Sequence, residues 1–177
     1  KKKTTKTKKT ASKKEIEGIP SSREIYEIFS KKAITHDTPI GIFTMGIPGS
    51  GKSTVVKRVI NELLQNLIPN TGSLSYNSIN NVSGLNSSSK SKKGYSYSDF
   101  IQCNPDEIMP LFKNYNPKNP TEFLGIASRK TSALLNLVIK SPLKYSFIYD
   151  GTGANIIGYA SALNRAIANG YTIVLVY

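Results

Sequence analysis

The sequence predicts an α/β fold in which helices cover a mostly parallel sheet. Short apolar runs typical of buried strands alternate with stretches whose apolar residues recur at helical spacing. A glycine-rich loop joins the first strand to the helix after it, and acidic residues follow the ends of two later strands. Alternation of this kind is typical of parallel sheets with right-handed crossovers, which bind ligands at the carboxyl ends of their strands.

The glycine-rich loop at residues 46–53 reads GIPGSGKS, a complete G-x-x-x-x-G-K-[ST] phosphate-binding loop. An apolar run at 40–45 precedes it and a helical pattern follows it, which is the context that such a loop requires. Backbone N–H groups of the loop can wrap a triphosphate while the helix adds its N-terminal dipole. The expected nucleotide contacts are Gly46, Ile47, Pro48, Gly49, Ser50, Gly51, Lys52, Ser53 and Thr54.

This loop predicts the three-layer sandwich of P-loop NTPases, with ATP as ligand and Mg²⁺ as cofactor. Lys52 would bridge the outer phosphates, and the Ser53 hydroxyl would hold Mg²⁺. The alternative is a glycine-rich turn that carries an exposed lysine.

The basic charge is concentrated at one end of the chain. Lysines supply eight positive charges within residues 1–14, out of a net charge of +13 for all 177 residues. This segment has no apolar periodicity and repels itself, so it is predicted to be a disordered tail. It could bind a polyanion, act as a nuclear-import signal, or be only a solvated tail, and it is the one segment through which nucleic acid could bind.

Cysteine content and hydropathy restrict the protein class. The single cysteine, Cys103, excludes an internal disulfide, and no apolar stretch is long enough for a membrane span or a secretory leader. One histidine and one cysteine provide no zinc site and no Cys-His catalytic pair. We therefore expect a cytoplasmic or otherwise intracellular protein with no membrane partner.

The chain divides into three predicted parts. They are the disordered basic tail at 1–14, a helical extension at 15–38, and a P-loop kinase-like domain at 39–177 with a polar insert at 70–94. The chain stops at Tyr177 inside a predicted strand, so we expect a last strand and a lid beyond this point.

Apolar patterns and capping residues locate the elements. The strands are predicted at 40–45, 95–103, 145–149 and 171–177. The helices are predicted from a cap at Ser21 or Ser22, from the loop to Pro69, from about Pro120 to Lys140 with Asn119 as cap, and from Ile156 to Ala168 with Asn155 as cap.

Phosphoryl transfer also needs a metal carboxylate, a base and cations. Asp150 ends an apolar strand, where a Walker B carboxylate holds Mg²⁺, although Asp-Gly also makes ordinary turns. Asp106 follows the second strand and could act as the base. It could equally complement the dipole of a helix that starts with Asn104 as cap and Pro105 in the first turn. Arg129 and Arg165 are the only arginines after the P-loop helix and are candidate phosphate ligands, or simply solvated helix residues.

These motifs, in this order, resemble the zeta-toxin family of P-loop kinases. The matching segments are GIPGSGKST, NPDEI, ASRKTSALLNLVI, SFIYDGTG and GYTIVLVY, and they cover roughly residues 40–177 apart from the polar insert. The resemblance implies a sheet of order 2-3-1-4-5, use of ATP with Mg²⁺, and a sugar hydroxyl as acceptor. It also implies that Asp106 deprotonates that hydroxyl, and we expect Glu122, Arg129 and Thr152 near the substrate.

The sequence departs from the family at two points. The family often has glutamate where this chain has Asp150, and its C-terminal phosphate-binding arginines have no counterpart before Tyr177. We therefore expect an ATP-dependent kinase acting on a small-molecule hydroxyl, and the resemblance implies a nucleotide sugar as the acceptor. The alternatives are a polynucleotide 5′-hydroxyl kinase, which the lysine tail would suit, and a nucleotide-binding module without catalysis.

Overall fold

Four strands form one sheet at the centre of the protein. They are β1 at Ile40–Met45, β2 at Ile101–Cys103, β3 at Phe147–Gly151 and β4 at Thr172–Val176. Their order across the sheet is β2-β3-β1-β4, and every neighbouring pair is parallel. This confirms the predicted α/β class and the predicted order of these four strands.

The structure is a computed structural model that describes residues 18–36, 38–47, 49–64, 95–151 and 155–177. The basic tail and the polar insert predicted from the sequence lie outside these residues, and the predicted domain boundaries stay predictions. The described α-helices are α1 at Ser22–Ser30, α2 at Lys52–Arg58, α3 at Pro105–Ile108, α4 at Thr121–Lys140 and α5 at Ile156–Ala168. A π-helical segment, Val59–Leu64, continues α2.

Helices cover both faces of the sheet because the side chains of β1 alternate between two cores. Phe43 lies in one core with residues of α1, α4 and α5. Ile40 and Ile42 lie in the other, with Val56 and Ile60 of α2 and its continuation. The result is the predicted three-layer sandwich, in which α2 is the only described α-helix with buried residues in the second core.

Two predicted helix caps are confirmed. The Ser21 hydroxyl accepts a hydrogen bond from the N–H of Glu24, whose carboxylate accepts one from the N–H of Ser21, so α1 begins with a capping box. The Asn155 side chain accepts a hydrogen bond from the N–H of Gly158 at 3.0 Å, and α5 has the predicted bounds.

The predicted cap of α4 is wrong. Pro120 occupies the N-cap position, and Asn119 does not bond the helix backbone there. Its amide nitrogen donates to Glu122 at 3.3 Å and its oxygen accepts from the Thr121 hydroxyl at 3.1 Å. Neighbouring side chains therefore compete successfully for the groups that the cap would have used.

The predicted second strand is too long at its start. A 3₁₀ turn occupies Tyr97–Asp99, and only Ile101–Cys103 joins the sheet. The buried carboxylate of Asp99 accepts a hydrogen bond from the N–H of Ser96 at 2.9 Å, which closes the turn. Local capping thus takes precedence over the alternating pattern at 95–98, YSYS, that would otherwise extend the strand.

The third strand starts and ends later than predicted. It runs from Phe147 to Gly151. Asp150 pairs with Thr44 of β1, and Gly151 pairs with Met45. Asp150 is therefore a strand residue held in register and does not begin a turn.

Gly41 of β1 has side chains of both neighbouring strands packed directly over its Cα. A Cβ atom there would lie 2.7 Å from Cζ of Phe147 and 3.2 Å from Cδ1 of Ile173, so only glycine fits between β3 and β4. Gly125 in α4 is the contrasting case, because a Cβ there would have no atom within 4 Å.

We expect Gly41→Ala to lower the free energy of unfolding by about 1–3 kcal/mol, because Phe147 and Ile173 must shift. Gly125→Ala should raise it by about 0.5–1 kcal/mol through helix propensity. Urea denaturation of both variants checks the pair. Equal stability of Gly41→Ala and the parent would show that the space around Gly41 accommodates a methyl group without strain.

Several buried groups hold their protons more tightly in the folded state. Burial raises the pKa of the Cys103 thiol and of the Tyr159 and Tyr171 hydroxyls well above their ordinary values. The Tyr171 hydroxyl donates to the carbonyl of Val138 at 3.2 Å, so its ionised form would also lose a hydrogen bond.

These pKa shifts predict a loss of stability in alkali. A group whose pKa is raised in the folded state contributes its full stabilisation below the pKa that it has in the unfolded state, about 8.5 for cysteine and about 10 for tyrosine. That contribution to the free energy of unfolding is lost as the pH rises toward the folded-state pKa. The free energy of unfolding should therefore decline from about pH 9 upward. Above about pH 10, the free energy of unfolding of Tyr171→Phe, measured by urea denaturation at a series of pH values, should decline less steeply than that of the parent. An identical decline in both proteins would contradict a contribution from the Tyr171 hydroxyl.

Candidate active site

The phosphate-binding loop leaves the carboxyl end of β1 in the conformation that its glycines permit. Gly46, Gly49 and Gly51 have φ values of +146°, +80° and +82°, which side-chain-bearing residues rarely adopt. Gly51 is the left-handed N-cap of α2, and its carbonyl accepts hydrogen bonds from the N–H groups of Thr54 and Val55. The predicted loop residue Pro48 lies outside the described residues.

Lys52 reaches back across the loop. Its Nζ donates to the carbonyl of Gly46 at 3.0 Å and to that of Ile47 at 2.9 Å. The same nitrogen lies 3.9 Å from Oδ1 of Asp150, and the Lys52 side chain is only 13% exposed. The ammonium group of Lys52 thereby lies between the loop and the end of β3.

Asp150 receives a donor on each carboxylate oxygen. The Thr44 hydroxyl donates to Oδ1 at 2.6 Å, and the Asn104 amide donates to Oδ2 at 3.3 Å. Thr44 is 1% exposed, whereas the Asp150 side chain is 24% exposed. The carboxylate is therefore anchored from both neighbouring strands while part of it stays open to a ligand.

One small cleft contains most of these groups. The described residues that line it are Thr44, Lys52, Ser53, Val56, Tyr97, Gln102, Asn104, Ile148 and Asp150. The two residues predicted to hold magnesium, Ser53 and Asp150, thus border the same space. Hydroxyl and carboxylate oxygens fit Mg²⁺, which takes one or two protein ligands and completes its shell with phosphate oxygens and water.

Six of the nine described lining residues were not predicted from the sequence as site residues, and four of the six are polar. Thr44 could have been found, because it is a hydroxyl in an otherwise apolar strand and precedes the loop. The roles of Asn104, Gln102 and Tyr97 depend on the packing of β2 against β3. The centre of the Tyr97 ring lies 5.1 Å from Lys57 Nζ. Burial raises the pKa of the Tyr97 hydroxyl, and the negative charges of Glu107 and Asp150 raise it further.

Asp106 lies at the start of α3, two residues after Asn104, which lines the cleft. Its N–H donates to the Asn104 side chain at 2.9 Å, so the helix start expected from the sequence is present. Its side chain is exposed and is absent from the described lining of the cleft. The structure thus places Asp106 two residues from a lining residue, and its role as a base stays a prediction.

The predicted substrate residues are not gathered around the loop in the described part of the chain. Glu122 accepts a hydrogen bond from Asn119 in the first turn of α4, and Arg129 is exposed farther along the same helix. Thr152 lies outside the described residues. Arg165 donates to Ser161 at 2.7 Å along α5 and borders a separate shallow groove there.

Comparison with known proteins supports the fold. No family model matches the sequence, and no curated protein is similar to it in sequence. The structure is similar to a chain of the PezAT chromosomal toxin-antitoxin system of the human pathogen Streptococcus pneumoniae, with a TM-score of 0.57 at 14% identity. The similarity covers 87% of this chain and 52% of that chain, so this chain spans about half the length of its structural neighbour.

At this identity the similarity shows the fold alone, a parallel α/β sheet covered by helices on both faces. Within the described ranges, no helix combines the length and apolar character needed to cross a membrane.

The bond between Thr44 and Asp150 should be measurable as stability. Thr44→Val keeps the side-chain shape and removes the donor, and we expect it to cost about 1.5 kcal/mol because the acceptor is charged. Thr131→Val is the matched control, since Thr131 is also buried but bonds only the carbonyl of Ala127 in its own helix. That change should cost about 0.5 kcal/mol by urea denaturation. Equal losses in the free energy of unfolding for the two variants would show that the hydrogen bond from Thr44 to Asp150 stabilises the fold no more than that of Thr131.

Proposed function

We propose that the chain contains a P-loop kinase domain that transfers the γ-phosphate of ATP to a hydroxyl of a small molecule. The observation that carries this proposal is the convergence of the phosphate-binding loop, Lys52 and Asp150 on one cleft at the carboxyl edge of the sheet. A loop of this sequence at this position in a parallel sheet favours a triphosphate as ligand.

The loop and α2 would hold the nucleotide. Loop N–H groups and the helix dipole favour the phosphates, and Lys52 Nζ can move from the loop carbonyls to the outer phosphate oxygens. Ser53 would bind Mg²⁺ directly and Asp150 through water, because Thr44 and Asn104 already engage both of its carboxylate oxygens. When bound, Mg²⁺ would neutralise charge on the transferring phosphate.

Asp106 is the proposed base. It would accept the proton of the acceptor hydroxyl as that oxygen bonds to the γ-phosphorus and ADP departs. Its position after β2, next to the strand that carries Asp150, supports the role. The resemblance of NPDEI to the corresponding zeta-toxin motif also supports it.

A nucleotide sugar is the proposed acceptor. This part of the proposal depends on the resemblance to the zeta-toxin family, together with the fold similarity to a chain of a toxin-antitoxin system. A nucleotide-binding module without catalysis is the second candidate. It is favoured by the placement of Glu122 and Arg129 away from the described cleft.

Nucleotide binding is tested by Lys52→Ala. We expect calorimetric affinity for ATP with Mg²⁺ to fall at least tenfold, about 1.4 kcal/mol, because Lys52 contacts the outer phosphates. Arg58→Ala is the matched control. It removes one positive charge from the same helix, where Arg58 pairs with Glu62 on the surface at 2.9 Å, and should leave affinity unchanged. Equal affinities for Lys52→Ala and the parent would exclude the loop as the nucleotide site.

The catalytic assignment is tested by Asp106→Asn. Transfer to a nucleotide sugar should fall by about 10² or more, while ATP affinity and melting temperature persist, since asparagine keeps the size but cannot take the proton. Glu107→Gln neutralises the adjacent exposed carboxylate and should keep the rate. An unchanged rate in Asp106→Asn would reject the base. ATP binding with no transfer to sugars, nucleotide sugars or polynucleotide 5′ ends would favour the non-catalytic module.

A further inference from the structure

Asn104, which lines the cleft, bonds Asp150 and the start of α3 through the two ends of one amide group. Its Oδ1 accepts the N–H of Asp106 at 2.9 Å, and its Nδ2 donates to Oδ2 of Asp150 at 3.3 Å. The two bonds need opposite hydrogen-bonding character, so a single orientation of the amide makes both. The side chain therefore joins the first turn of α3 to the end of β3.

The sheet makes this bridge possible. β2 and β3 are parallel neighbours, and Cys103 pairs with Tyr149, so the next residue on each strand brings Asn104 beside Asp150. The other oxygen of Asp150 is held by Thr44 of β1. Asn104 is consequently bonded to a carboxylate that is itself fixed, and any movement of α3 relative to β3 must stretch or break the bridge.

We propose that Asn104 is a positioning residue that fixes the Asp106 segment relative to the Asp150 carboxylate. This role deepens the proposed function and depends on it, because Asp150 lies on the metal side and Asp106 is the proposed base. Holding the two sides in one geometry matters for phosphoryl transfer, since a misplacement of about 1 Å can cost up to 10²-fold in rate.

Helix capping alone does not account for this residue. Serine and aspartate cap helices about as well as asparagine, because a cap needs only an acceptor oxygen. Aspartate has no donor for Asp150, and the serine side chain is one atom shorter than that of asparagine, so its hydroxyl cannot accept from the N–H of Asp106 and also reach Asp150 as the amide does. Asn104→Ser therefore keeps the cap and removes the bridge without adding charge, whereas Asn104→Asp also places a second carboxylate against the first.

The bridge itself can be tested without nucleotide. Amide hydrogen exchange at Asp106 in the full chain should accelerate about threefold in Asp150→Ala, because Asn104 loses its anchor. The same substitution in the Asn104→Ser background should change nothing further. The N–H of Glu24, capped by Ser21 in α1, is the internal control and should exchange at the parental rate in every variant. Unchanged exchange at Asp106 in Asp150→Ala would overturn the bridge.

The positioning role is tested by kinetics. Asn104→Ser should lower kcat about tenfold or more while KM for ATP stays within about twofold. Ser21→Ala, which removes a cap distant from the cleft, should lower stability without lowering kcat. Equal kcat values for Asn104→Ser and Ser21→Ala would overturn the positioning role. A wild-type chain that binds ATP but transfers no phosphate would overturn it together with the proposed catalysis, while the exchange experiment still decides whether the bridge exists.

Discussion

The anchoring of the Asp150 carboxylate is the interaction on which the candidate site depends. A partly buried carboxylate costs free energy unless donors surround it, and here they come from three separate elements. Thr44 of β1, Asn104 after β2 and Lys52 of α2 all approach this one group, at 2.6, 3.3 and 3.9 Å. The Asp150 carboxylate therefore links the ends of two neighbouring strands to the phosphate-binding helix, and part of it stays exposed to a ligand.

The parallel sheet explains why these elements meet. Its order places β1 between β3 and β4, with β2 beyond β3, so the loop after β1 and the turn after β2 lie on either side of the end of β3. The close approach at Gly41 lets Phe147 of β3 pack against β1. Core packing thus sets the strand register, and the register in turn places Thr44 opposite Asp150.

Much of the fold and part of the site could be predicted from sequence. Apolar periodicity and the loop motif predicted the class and the position of Lys52, and local capping predicted the starts of α1 and α5. The strand order was implied by the resemblance to the zeta-toxin family. The predicted start of β2 and the predicted cap of α4 were wrong because Asp99 and Asn119 form hydrogen bonds with neighbouring groups. Residue propensities do not predict such bonds. The bridge made by Asn104 could not be predicted, since it requires the pairing of two strands more than forty residues apart.

The most direct test of the central claim is a crystal structure of the chain with Mg²⁺ and a non-hydrolysable ATP analogue. We predict that the triphosphate occupies the loop at 46–53, that Lys52 Nζ contacts phosphate oxygens, and that the metal lies between Ser53 and Asp150. Binding of the nucleotide elsewhere, or a metal remote from Asp150, would contradict the account.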